Sequence, residues 1–233
     1  DLSTHFNARS AAHVLADSQA TKDDLLRFTG VAAHKVTVVH LGRDETLAPM
    51  DDPQRLDDVQ RRLGIWRPGE AQTPYIAYIG TLQPRKNLVR LVEAFAALKQ
   101  RGLPHKLVLA GGKGWMYEPI FGAVERLDLQ RDVVFPGFVS RQELPLWYNG
   151  AALFSYPSLY EGFGLGPLEA MACGTPVVVS DRASLPEVVG DAGLQVDAED
   201  TAGLAEAMAS VLTSPSLAEQ MRGRGQERAA GFT

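Results

Sequence analysis

The sequence predicts an α/β protein built on a doubly wound parallel sheet, and three observations carry that expectation. From residue 75 onward, short apolar runs alternate with helix-length segments. Several of those runs are continuously apolar, as strands buried on both faces are: YIAYIG (75–80), AALFSY (151–156) and the core of TPVVVSD (175–181). Glycine-bearing or polar loops join the runs to the helix signals that follow.

Residues 1–43 behave as a lead-in. HVLADS (13–18) reads as a short strand, with Ser18 or Thr21 placed to cap a helix over ATKDDLLRF and Gly30 to end it. KVTVVHLG (35–42) is a β-branched strand. The next thirty or so residues change character, with several prolines and an acidic, Arg-rich helix-like piece at 52–63, and read as a surface connector. Strand YIAYIG then leads through TLQPRKN into LVRLVEAFAALKQR, where Asn87 is the expected cap and Leu88, Leu91, Val92, Phe95 and Leu98 share one face. KLVLAGG (106–112) and DVVFPG (132–137) are the second and third strands, each followed by a helix signal; Ser140 and Glu143 stand at capping-box spacing before the later one. AALFSY, TPVVVSD and GLQVD (193–197) complete six strands, and two helices over 201–213 and 216–231 close the chain. The usual order for such a sheet, 3-2-1-4-5-6, sets the first and fourth strands side by side, and ligands bind outside their carboxyl ends.

Two loops therefore meet at one crevice. The loop after the fourth strand opens SLYEGFGLGPLEAMACGTP (158–176), which holds Glu161 and then starts a helix near Leu165. Glu169 lies one turn into that helix and leans toward its N-terminus, back to the glycine loop. The helix start offers unpaired N–H groups that suit an anion. The loop after the first strand supplies Arg85 and Lys86, two cations for phosphate. Alone, the glutamate stretch reads equally well as plain structure, and Arg85 with Lys86 reads better as a solvated loop. Together, carboxylates for hydroxyls and cations for phosphate point to a sugar nucleotide.

Other chemistry is missing. GTLQPRKN has one glycine, so no GxGxxG follows the first strand, and AGGKGW is no Walker loop. His5, His13, His34, His40 and His105 show no metal spacing, no GxSxG elbow exists, and Cys173, the single cysteine, reads as a buried small residue. The net charge of −5, from 23 basic and 28 acidic residues, argues against general nucleic-acid binding. One cysteine suits a reducing, cytoplasmic compartment, and no uncharged apolar run approaches the roughly 18 residues that span a bilayer. DLSTHFNARS lacks both an initiator Met and a signal-peptide core, so the chain reads as starting mid-protein.

Nearly the whole chain resembles the C-terminal, donor-binding half of a retaining GT-B glycosyltransferase of family 4, the glycosyl transferases group 1. ADSQATKDDL, VTVVHLGRD, YIGTLQPRKNLVRLVEAF, FPGFVSRQELPLWY and EGFGLGPLEAMACGTPVVVSDRASLPEVVGDAG carry the resemblance in family order and spacing. It implies a Rossmann-like donor domain at 75–233, a strand and connector at 36–74, and the tail of an acceptor-binding N-terminal domain at 1–35. Lys86 and Arg85 match the residues that hold the donor pyrophosphate, after the strand-ending Gly80. Thr81 stands where many relatives place an Arg, so Arg85 is expected to do that work. Glu161 matches the glutamate on the donor sugar hydroxyls, and Gly162, Phe163, Gly164 and Leu165 the segment whose backbone N–H groups meet sugar and phosphate. Glu169 matches the glutamate on the ribose, and Val139 the backbone contact to the base. Glu161, Arg85 and Lys86 are the expected catalytic set, the two cations stabilising the leaving phosphate.

The resemblance implies no metal and no cofactor, since the nucleotide sugar is a substrate. The acceptor, a glycan or a lipid-linked one in polysaccharide biosynthesis, belongs to the missing domain, so this piece alone should not transfer sugar efficiently. The GTLQPRKN form points to GDP-mannose as donor. A cytoplasmic location, with peripheral association at the inner face of the membrane, goes with that function. A sugar-nucleotide epimerase of the same fold and a non-catalytic sugar-nucleotide-binding module are the alternatives.

Overall fold

The computed structural model describes residues 2–66, 69 and 72–233; Asp1 in the lead-in and residues 67, 68, 70 and 71 in the connector lie outside the described residues. The first unit is small: helix α1 (Leu2–Ser10), strand β1 (Val14–Ala16), helix α2 (Gln19–Thr29) and strand β2 (Val36–Val38). β1 and β2 pair in parallel as a separate two-stranded sheet. The strand at 36–38, grouped with the connector in the sequence, thus packs with the lead-in. Helix α1 has no counterpart in the sequence expectations, because Leu2 and Phe6 are exposed and Ala8 alone is buried, which leaves no apolar stripe. α2 starts as expected: Ser18 Oγ accepts the Thr21 N–H, and Gly30, at φ 68°, ends the helix. The connector holds helix α3 (Pro53–Arg62), capped by Asp52.

The main unit follows as β3 (Tyr75–Ile79), α4 (Leu88–Gln100), β4 (Lys106–Ala110), α5 (Glu118–Arg126), β5 (Val133–Gly137), α6 (Leu144–Asn149), β6 (Leu153–Tyr156), α7 (Leu165–Ala172), β7 (Val177–Ser180), α8 (Leu185–Val189), β8 (Leu194–Val196), α9 (Thr201–Thr213) and α10 (Pro215–Ala230). All neighbouring strands are parallel, in the order β5-β4-β3-β6-β7-β8. In sequence order of these six strands that is 3-2-1-4-5-6, as predicted. Residues 75–78 and 153–156 are buried within the sheet, with α7 and α9 among the covering helices. Among the described residues no helix is long and apolar enough to cross a membrane.

Two local expectations are corrected. Asn87 does not cap α4 with its side chain: it sits in the left-handed region at φ 59°, and its amide donates to Pro157 O at 3.0 Å and Ala198 O at 2.8 Å. Those buried carbonyls have the stronger claim, and the amide ties the loop after β6 to the turn before α9. Ser140 and Glu143 do not form a capping box either. α6 begins at Leu144, and the Ser140 hydroxyl donates to the Glu143 carboxylate at 2.9 Å, side chain to side chain.

Candidate functional site

β3 and β6 lie next to each other, so the loops that leave their carboxyl ends share one rim of the sheet. A single 3-10 turn, Pro84–Lys86, shapes the first loop, and Leu159 N donates to Arg85 O at 2.9 Å to bind the second loop to it. Lys86 Nζ donates to Glu161 Oε1 at 2.6 Å and to Tyr156 Oη at 2.6 Å, with its ammonium 4.8 Å from the centre of the Tyr156 ring. Arg85 Nη1 reaches Glu161 Oε2 at 2.9 Å and also donates to the Tyr160 carbonyl.

Lys86 and Glu161 are both buried. Burial would raise the Glu161 carboxyl, but the Lys86 hydrogen bond and charge, joined by Arg85, outweigh it and hold the carboxyl below the usual glutamate value. Burial pulls the Lys86 ammonium down from its ordinary range while Glu161 draws it back up. Lowered Glu161 is the direction that decides the pair: two cations on one carboxylate keep it ionised.

The glycine loop is pinned by three hydroxyls. Ser18 Oγ and Thr21 Oγ1 of the first unit donate to Gly162 O at 2.5 and 3.1 Å. Ser184 Oγ donates to Glu161 O at 2.9 Å and to Phe163 O at 2.6 Å. Gly164 precedes α7 at φ 110°, a conformation that L side chains rarely adopt, and a Cβ there would stand 2.9 Å from Leu185 Cδ2.

Glu169 looks into a neighbouring cleft of about 500 Å3, with Asp44, Phe138, Val139, Arg141 and Leu165 among its walls. Tyr148 Oη donates to Glu169 Oε2 at 2.8 Å. Burial raises the Glu169 carboxyl, and the Tyr148 hydrogen bond works against that rise. At the mouth, Arg141 Nη2 meets Asp44 Oδ2 at 2.6 Å; hydrogen bonds from Thr46, with Arg141, hold Asp44 down at about 2.

The structure thus brings Arg85, Lys86 and Glu161 into one cluster and sets Val139, Leu165 and Glu169 around the adjoining cleft. Gly80 lies at the end of β3, donating to Ala110 O at 2.9 Å, and Gly162 and Phe163 lie in the chain between Glu161 and Leu165, their carbonyls held by Ser18, Thr21 and Ser184. The glutamates do not share one pocket, as their leaning toward each other suggested: Glu161 is held by cations and Glu169 by a phenol. Tyr156 stands between them. Burial raises its hydroxyl most, Glu161 adds to that, and Glu169 contributes less. Tyr148, Tyr156, Asp44 and Arg141 were missed in the sequence. Tyr156 had a signal, since it is the last residue of the strand that opens the crevice. Among the described residues, no group of three or more His, Cys, Asp or Glu is placed to hold a metal ion.

Residues 66–228 match the family of glycosyl transferases group 1. The chain belongs to that family. It is 34% identical, over its full length and 60% of the relative's, to the O-antigen chain mannosyltransferase B of Escherichia coli. It is also 34% identical to the alpha-maltose-1-phosphate synthase of Mycolicibacterium smegmatis, across 94% of this chain and 58% of that one. Among solved structures, the sucrose-phosphate synthase of Thermosynechococcus elongatus superposes with a TM-score of 0.85 at 28% identity, covering 99% of this chain and 56% of that one. HepE of Anabaena, solved with UDP and glucose, gives 0.88 at 23% identity, over 99% of this chain and 62% of its own. The fold is the C-terminal half of a GT-B glycosyltransferase, and the chain spans only about six tenths of the length of such relatives.

Proposed function

We propose that this chain is the donor-binding part of a glycosyltransferase that moves a mannosyl group from GDP-mannose, with retention, to a glycan or lipid-linked acceptor. The Arg85–Lys86–Glu161 cluster, beside a cleft walled by Glu169 and Val139, is the observation that carries the reading. Breaking a sugar–phosphate bond leaves negative charge on the departing diphosphate, and fixed cations at its position lower the barrier. Arg85, Lys86 and the start of α7 are such groups. Glu161 accepts from sugar hydroxyls, and Glu169 from the ribose hydroxyls that enter the cleft. Retention fits attack from the face the diphosphate leaves, the acceptor proton passing to that diphosphate. The mannosyl assignment is supported by the E. coli relative's name and by the GTLQPRKN loop.

In this reading Arg85 and Lys86 neutralise the diphosphate, and binding needs no divalent metal. Calorimetric titration in EDTA with GDP, UDP, ADP and GDP-mannose is the test. GDP and GDP-mannose should bind best. Binding of no nucleotide, or binding only after magnesium or manganese is added, overturns the reading.

A further inference from the structure

Both cations that this donor-site reading gives to the diphosphate are already taken. Glu161 Oε1 receives Lys86 at 2.6 Å and Oε2 receives Arg85 at 2.9 Å, so each carboxylate oxygen is engaged. The carboxylate and the ammonium are both buried, which limits screening by water. The site therefore carries its own anion where a phosphate would sit.

We infer that Glu161 discriminates the sugar-bearing donor from the bare nucleoside diphosphate, because it competes with the diphosphate for Lys86 and Arg85. The inference rests on the nucleotide-sugar reading and adds a second role for Glu161 to it. A diphosphate entering the site brings negative charge against a buried carboxylate and draws the two cations from it. Like charges at such range in a poorly screened site are strongly unfavourable. A bare diphosphate has nothing to return, since its oxygens are acceptors and an ionised carboxylate only accepts. A sugar conjugate has hydroxyls that donate to the carboxylate oxygens the cations have left. The competition is thus offset for the donor and remains for the product. After the sugar has been transferred, Glu161 reclaims Lys86 and Arg85, which favours release of the diphosphate.

A Glu161 that only bound sugar would leave diphosphate affinity unchanged when removed. A competing Glu161 predicts that the affinity rises. The experiment titrates the wild-type chain, Glu161→Gln and Glu161→Ala with GDP, with GDP-mannose and with inorganic pyrophosphate, in EDTA at low salt. Both variants should bind GDP and pyrophosphate about tenfold tighter, which is about 1.4 kcal/mol, and should lose the preference for GDP-mannose over GDP. Diphosphate affinity that is unchanged or weaker in both variants, with cooperative unfolding intact, overturns the inference alone. The wild-type chain tests it without any variant, for GDP that binds as tightly as GDP-mannose also overturns it. Binding of no nucleotide by wild type removes the donor-site reading, and the inference with it.

Discussion

On the proposed reading, Lys86 is held ready for the donor by the groups around it. An ammonium has three donors, and Tyr156 and Glu161 take two of them, at 2.6 Å each. On the proposed reading, an incoming diphosphate oxygen competes with Glu161 for the ammonium. Replacing Lys86 by Ala should weaken GDP binding by about ten- to a hundredfold, the worth of a charge-assisted contact of roughly 1.5–3 kcal/mol. Binding of guanosine should hardly change; equal losses for the two ligands in parallel titrations would place Lys86 away from the phosphates. Glu169 should behave differently. The ribose is common to diphosphate and sugar conjugate, so Glu169→Gln is expected to weaken both alike, by about tenfold or more. The order of strands made Arg85, Lys86 and Glu161 legible as one crevice. Their mutual pairing was not legible, since it depends on rotamers and on where Tyr156 stands. Tyr148 and Asp44 were missed for a different reason: both end segments that carry the resemblance, FPGFVSRQELPLWY and VTVVHLGRD, yet only the folded chain sets Tyr148 on the Glu169 carboxylate and Asp44 in the wall of its cleft.

At the scale of elements, the sheet's rim depends on how closely backbones approach. β3 and β4 leave the sheet through Gly80 and Gly111, and a Cβ on Gly111, itself at φ 141°, would collide with the Gly80 carbonyl. That approach sets the start of the loop that carries Arg85 and Lys86. Gly111→Ala should therefore cost about 2 kcal/mol or more, combining backbone strain with a collision that cannot be relieved by a rotamer change. Gly112 is the control: nothing lies within 4 Å of its added Cβ. Gly112→Ala should stay within about 0.5 kcal/mol of wild type, and urea unfolding of the two variants measures the contrast. If both behaved alike, the close approach would not be what holds the loop. Apolar runs and glycine ends made these strands readable in order. α1 and the short α8 stayed hidden because one has no buried stripe and the other is five residues long.

The whole molecule is two units held at one junction, and the junction bears on the proposed donor site. Glu187, in α8 of the main unit, accepts Gln19 N of the first unit at 2.9 and 2.8 Å on its two oxygens. It also meets His40 Nε2 at 2.6 Å, in the segment that joins the units. The His40 ring lies 5.9 Å from Phe163 and 5.7 Å from Phe232, so the connector, the glycine loop and the chain's last turn share one aromatic cluster. Ser18 and Thr21, which hold the Gly162 carbonyl, stand beside Gln19 at the start of α2. Removing the Glu187 side chain should weaken the hold of α2 on the main unit and loosen that grip, leaving Ser18, Thr21 and the Tyr160–Asp24 hydrogen bond to carry it, while the six-stranded sheet, which does not rely on it, keeps its stability. Glu187→Ala is therefore expected to raise amide hydrogen exchange in residues 14–29 and 159–164 and to leave β3, β4, β6 and β7 protected. The glycine loop would then be ordered only on binding, which costs affinity, so GDP-mannose should bind about three- to tenfold more weakly, on the order of 1 kcal/mol. Exchange that rises across the whole sheet would mean that Glu187 supports the core instead. Exchange that rises nowhere would mean that the apolar contacts of the first unit hold it in place without the carboxylate.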